Sequence, residues 1–207
     1  MQRSGIWPTI HSERAALGAD LDGITADQWS TPSLCSEWTV RDVLAHMTAI
    51  ANVTPATFFP QLLSSGLSLR RLQQKNMAAA RGASPCDTLA GFRAISTSKH
   101  PPGIPATMLS ETLVHAEDIR RPLGIGHGYP LDAVVRVADV FKTSNLFIGA
   151  KRRIAGLRLL ATDADWSHGS GPEVCGPIML LVLTMTGRKA VLSELTGDGV
   201  ATLHGRA

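Results

Sequence analysis

Glu111 and His115 stand four residues apart in the run SETLVHAEDIRRPLG, and Asp118 follows three residues later. Residues four apart on a helix stack on one face, so this carboxylate and this imidazole can hold one ion together. A second histidine, His46, lies in WTVRDVLAHMTAI, a separate segment with helical spacing. If His46 meets the pair, two imidazoles and one carboxylate form a three-ligand set. Zinc sites with four protein ligands are structural, whereas three ligands and an open position form the catalytic pattern. The same donors also suit iron, nickel or manganese. Asp118 has two readings. It can orient His115 through the other ring nitrogen, as carboxylates behind metal-bound histidines do, or it can pair at the surface with Arg120 or Arg121.

These residues need elements to position them. Thr39 is a good N-cap, and Asp42 three residues on completes a capping box, so a helix starts here. Val40, Val43, Leu44, Met47, Ile50 and Ala51 recur at helical spacing and mark its buried face. His46 projects between Val43 and Ile50 and is expected to point inward, with Trp38 as an anchor at the start of the helix. A helix from about Thr107 to Arg121 carries Glu111 and His115. Arg120 and Arg121 suit its negative end, and Pro122 and Gly124 stop it. Met108, Thr112, Val114 and Ile119 define no clean apolar stripe, so periodicity leaves the facing of this helix open. Burying Glu111 without compensation would cost several kcal/mol, and a bound cation removes that cost.

Other helices are expected over Ser12 to Ile24, Gln61 to Ala80 (weakened at Gly66), from Ser84 with Pro85 and Asp87 as start signals, and Leu131 to Gly149. Lys99 to Pro105 reads as a loop. After Lys151 the composition changes. Arg158 to Thr162 and Glu173 to Gly176 read as paired strands around a turn at Asp163 to Gly171. Pro177 to Gly187 and Lys189 to Leu195 read as helices, and Val200 to His204 as a last strand. The expected fold is α+β: an up-down four-helix-type bundle over residues 1–150, with inward ligands, then a small α/β domain over 151–207.

Bulk properties narrow the function. The 207 residues are 44% hydrophobic and 18% charged, with net charge +3 and no run of five basic residues. That composition fits a globular chain with a sizeable core and gives nucleic-acid binding little support. Cys35, Cys86 and Cys175 are odd in number and lack a CxxC spacing, so a reducing, cytoplasmic setting is expected. No leader is visible in residues 1–10, and the apolar run from Ile178 to Met185 is too short for a membrane span. The Gly169–Gly171 run is a turn rather than a phosphate loop, because no Lys-Ser/Thr follows. Cys35 has no supporting base, and His127 and His168 are spare acid–base groups.

The segments PSLCSEWTVRDVLAHMTA and ETLVHAEDIRRPLG resemble the DinB-like bundle metalloenzymes of the mycothiol-dependent maleylpyruvate isomerase group. The tail DADWSHGSGPEVCGPIMLLVLTMTGRKAVLSELTGDGVATL resembles the small C-terminal domain that accompanies that bundle. The resemblance implies His46, Glu111 and His115 as ligands of a divalent metal, usually zinc. It also implies mycothiol, or another low-molecular-weight thiol, as cosubstrate, with a small electrophile as its target. Attack by the thiolate gives isomerisation or S-conjugation. Arg188 in the tail's TGR can contact an anionic substrate, or it is a solvated helix-end arginine. The alternative function is a non-catalytic metal- or ligand-binding module, with sterol-carrier-like ligand binding ranked last.

Overall fold

The computed structural model describes residues 5–35, 37–99, 105–145 and 148–206. It divides into two compact units, residues 1–127 and 128–207. The fold is α+β, helix-rich with a three-stranded sheet.

The first unit is the helical one. It contains α1 (Ile6–Asp20), α2 (Ala26–Ser30), α3 (Val40–Ala51), α4 (Pro55–Ser64), α5 (Leu69–Arg81), α6 (Pro85–Ala94) and α7 (Pro105–Arg120). Helix α3 packs against α5, α6 and α7, and α1 packs against α7 and α6. The α3 start follows the expected box: Asp42 N–H donates to Thr39 Oγ1, and Thr39 N–H donates to Asp42 Oδ2 at 3.1 Å. Ser84 and Asp87 repeat that arrangement at α6. On α3, Val40, Val43, Leu44, Met47 and Ala51 are buried as expected, while Ile50 is only half-buried.

Three expectations in this unit shift. The first helix begins at Ile6 rather than Ser12 and ends at Asp20, because Gly23 takes a left-handed turn (φ 73°). The single helix expected from Gln61 to Ala80 is two. Gly66 and Leu67 both have positive φ (64° and 57°), which breaks the α4–α5 path. Of the loop expected over Lys99–Pro105, residues 100–104 lie outside the described residues, and Pro105 opens α7.

Helix α7 is buried almost all round. Twelve of its sixteen residues are buried, including Glu117, Asp118 and Arg120. The buried charged groups Glu117, Asp118 and Arg120 tolerate this burial because each faces a charged partner. Arg120 Nε donates to Asp20 Oδ2 at 2.7 Å, and Arg121 Nε to Glu117 Oε2 at 2.9 Å.

The second unit holds α8 (Leu131–Thr143), α9 (Ala150–Arg153), β1 (Arg158–Ala161), β2 (Ser167–Gly169), β3 (Glu173–Gly176), α10 (Ile178–Met185), a 3₁₀ turn (Lys189–Glu194) and α11 (Val200–Arg206). The sheet order is β2-β1-β3, antiparallel between β1 and β2 and parallel between β1 and β3. Helix α8 stops at Thr143 and packs on α10 and α9, so it groups with this unit rather than with the bundle. The turn expected at Asp163–Gly171 contains β2. There Gly169 (φ 83°) is required, because a Cβ would come within 2.2 Å of the Leu157 carbonyl oxygen.

Val200–His204 is helix rather than strand. The free edge of β3 is already used: Cys175 and Thr196 exchange N–H···O bonds at 2.8 and 2.9 Å, and Gly199 N–H donates to the Glu173 carbonyl at 2.8 Å. A short helix that buries Leu203 is what the remaining chain can form.

Candidate metal centre

His46 from α3 and Glu111 and His115 from α7 converge inside the first unit. One ligand atom from each lies within 4.8 Å of the others. The His46 and His115 side chains are 9% and 10% exposed, and their rings meet edge to face with centroids 4.9 Å apart. Glu111 Oε2 stands 3.1 Å from His115 Nε2 and 3.6 Å from His46 Nε2. The Glu111 stem is partly exposed, yet Oε2 is sealed from solvent and accepts no hydrogen bond of adequate geometry.

The tautomer of His115 makes that contact informative. Asp118 is fully buried, and its Oδ2 lies 2.8 Å from His115 Nδ1, so Nδ1 carries a proton and donates it. In the neutral ring the Nε2 lone pair then faces the Glu111 oxygen. Two acceptors 3.1 Å apart require a cation between them, either a proton or a metal. Without metal, the proton serves. Burial opposes the charge on His115, but the hydrogen bond to Asp118 and the close Glu111 carboxylate outweigh it and push its pKa up to about 9. Burial would likewise raise the Glu111 carboxyl, and the two imidazoles outweigh it, holding that group well below the usual carboxylate range. His46 shifts the other way, because burial and the neighbouring His115 outweigh Glu111 and keep its ring neutral.

The residues fit a divalent metal. Bonds of roughly 2.0–2.2 Å in a tetrahedral site put neighbouring ligand atoms about 3.4 Å apart, a value that lies between the 3.1 and 3.6 Å separations here. One carboxylate and two neutral imidazoles would leave a divalent ion with a net positive charge.

Two neighbours have roles that the chain pattern gave little sign of. Trp38 lies against both imidazoles, with centroids 4.7 Å from His46 and 6.3 Å from His115, so the expected helix-start anchor also walls the centre. Gln73 on α5 places its amide 3.4 Å from His46 Nδ1. A neutral amide thus backs one histidine where a carboxylate backs the other. Only the helical register of α5 hints at Gln73, and nothing in sequence links it to a residue 27 positions earlier. Trp38 and Gln73 also line a groove of about 590 Å³, together with Cys35 and Arg70.

His127 Nε2 pairs with Glu13 Oε2 at 2.7 Å, which reads as a structural contact of the first unit. His168 sits on β2 beside Trp166, and Arg188 donates from Nη1 to the Thr186 carbonyl at 3.0 Å; both belong to the second unit.

Residues 10–98 match the domain family described as the mycothiol maleylpyruvate isomerase N-terminal domain. That match covers less than half of the chain and falls within the helical unit, so it shows a likeness of these residues to that N-terminal domain. Two solved structures share the fold: a mycothiol-dependent maleylpyruvate isomerase (TM-score 0.64) and a histidine-to-alanine mutant of it (TM-score 0.63). Each is 14% identical, and each match covers 93% of this chain and 91% of the other. At that identity the likeness is one of fold. A comparison with curated proteins finds no match. Among the described residues, no helix is long and apolar enough to cross a membrane.

Proposed function

We propose that the chain is a divalent-metal- and thiol-dependent enzyme, an isomerase or S-transferase that uses mycothiol on a small electrophilic substrate. The observation that carries this reading is the buried Glu111 oxygen facing the Nε2 atoms of His46 and His115, an arrangement that a metal ion would bridge and that a proton bridges in its absence. His46, Glu111 and His115 would hold the metal, zinc in the reading that the resemblance implies. When bound, the metal would supply the positive charge that favours a thiolate over a thiol near neutral pH.

The protein's own groups do the rest. Asp118 keeps the His115 proton on Nδ1 and so leaves Nε2 free to ligate. Trp38 covers the imidazoles and limits water on its side. The thiol sulfur donates its electron pair to an electrophilic substrate carbon. In isomerisation, addition across a double bond is followed by rotation and expulsion of the sulfur, which regenerates the thiol. In S-conjugation the carbon–sulfur bond stays: the sulfur displaces a leaving group such as halide, with the thiol proton passing to water, or the proton adds to the neighbouring carbon of the double bond. Arg188 is retained as a proposed contact for an anionic substrate, and a cytoplasmic setting as the one where such a thiol is available.

The test is turnover by zinc-loaded protein of a cis-unsaturated dioxo acid and of a halogenated electrophile, each with and without mycothiol. Activity that rises with thiol and disappears in His46→Ala, Glu111→Gln and His115→Ala is expected. In cobalt-substituted protein, added thiol should create a sulfur-to-metal charge-transfer band. If metal binds and no thiol perturbs it, the non-catalytic binding module becomes the better account.

A further inference from the structure

Arg152, Arg153 and Arg206 line a cavity of about 340 Å³ in the second unit, with Gly149 and Ala155 completing its wall. No aspartate or glutamate lines it, and among the described residues no carboxylate forms an ion pair with any of the three arginines. Two of the guanidinium groups are fixed by main-chain carbonyls. Arg153 Nη1 donates to Ile148 and Met185 at 3.1 and 2.5 Å, and Arg206 Nη1 to Arg153 and Ala155 at 3.1 and 2.6 Å. Among the described residues the side chain of Arg152 has no such tether, and its main-chain N–H donates to Asn145 Oδ1 at 2.8 Å.

One donor is left over. Arg153 Nε is buried and meets no acceptor. A buried, charged N–H without a partner is costly, and gathering guanidinium groups without counter-charge adds repulsion. Burial, and then the charges of Arg188 and Arg152, hold the Arg153 guanidinium below its ordinary pKa, as expected for a cation lacking an anion. Guanidinium forks match the paired oxygens of carboxylate and phosphate groups.

We propose that this cavity is a binding site for a small polyvalent oxyanion bearing phosphate or carboxylate groups. Arg153 and Arg206 are the pre-set donors, and Arg152 is the arm that closes on the ligand. The site lies wholly within the second unit and does not depend on the metal reading of the bundle.

The experiment is calorimetric titration of the full chain with inorganic phosphate and, separately, with succinate, against chloride at equal ionic strength. Saturable binding of at least one of the two at one per chain is expected, and it should weaken as salt is raised. Phosphate alone points to a phosphorylated ligand, succinate alone to a dicarboxylate, and both to a site that reads charge rather than shape. Arg152→Gln should weaken binding at least tenfold with an unchanged melting temperature, and Arg206→Gln should weaken it as well. Arg206→Gln can disturb the carbonyls that it holds, so Arg152→Gln decides. His115→Ala should bind the anion like the parent protein. Binding no stronger than chloride for both anions, or an Arg152→Gln variant that binds like the parent, overturns the proposal.

Discussion

Asp118 and His115 sit one turn apart on α7, joined by a 2.8 Å contact between Oδ2 and Nδ1, with no part of Asp118 exposed. The contact decides which nitrogen of His115 is free. Asp118→Asn keeps the shape and removes the charge, so it should weaken zinc binding by about 10- to 100-fold. Competition with a chromophoric chelator measures this. An affinity equal to that of the parent protein would remove Asp118 from the account of the site.

Stability and metal binding should respond to pH in opposite directions. The folded pKa of His115, about 9, lies above its ordinary 6.5. Its contribution to the metal-free fold is therefore complete below pH 6.5 and lost as pH rises to 9, about 3 kcal/mol in all. The depressed Glu111 carboxyl contributes above its ordinary 4.5 and is lost as pH falls below that. Zinc must displace the His115 proton, so its stabilising effect should grow towards pH 9, with a proton released on uptake. Urea melts at pH 6 and 8.5, with chelator and with zinc, test both signs.

His46→Ala and His115→Ala should both abolish tight zinc binding, at unequal cost to the metal-free fold. Removing His115 strips a buried carboxylate of its imidazole, a loss of about 3 kcal/mol. Removing His46 takes away a neutral ring packed on Trp38, a loss of about 1–2 kcal/mol. Equal losses in denaturant melts would contradict the charge assignment of the centre.

Leu67 adopts φ 57° and is 69% exposed at the α4–α5 turn. A side chain in left-handed backbone costs about 1–2 kcal/mol, and here little packing offsets it. Leu67→Gly should therefore raise stability by up to about 1 kcal/mol, visible as a higher melting temperature.

Local chemistry was legible in the sequence. Thr39 with Asp42, and Ser84 with Pro85 and Asp87, announce helix starts through contacts three residues apart, and α3 and α6 begin where those contacts require. The facing of α7 was not legible, because no single apolar stripe exists. Its buried polar residues are matched by partners as remote as Asp20, 100 positions from Arg120, and no periodicity encodes such a pairing. The three residues that converge at the candidate centre were readable as residue types at a spacing. Gln73 was not, since its link to His46 is made only when α5 packs on α3. Val200–His204 reads as strand by composition, and the occupied edge of β3, a tertiary fact, makes it helix.

The burial of α7 also sets how freely the protein can vary. Glu111 and His115 share their helix with eleven other buried positions, whereas none of the ten residues of α4 is buried. A change on α7 meant to retune the centre is therefore also a change to the core, and the chain has little room to alter one without the other. Divergence should accumulate on α4 and at the α4–α5 turn. New specificity should come from walls such as Trp38 and Gln73 rather than from the helix that holds the two α7 donors.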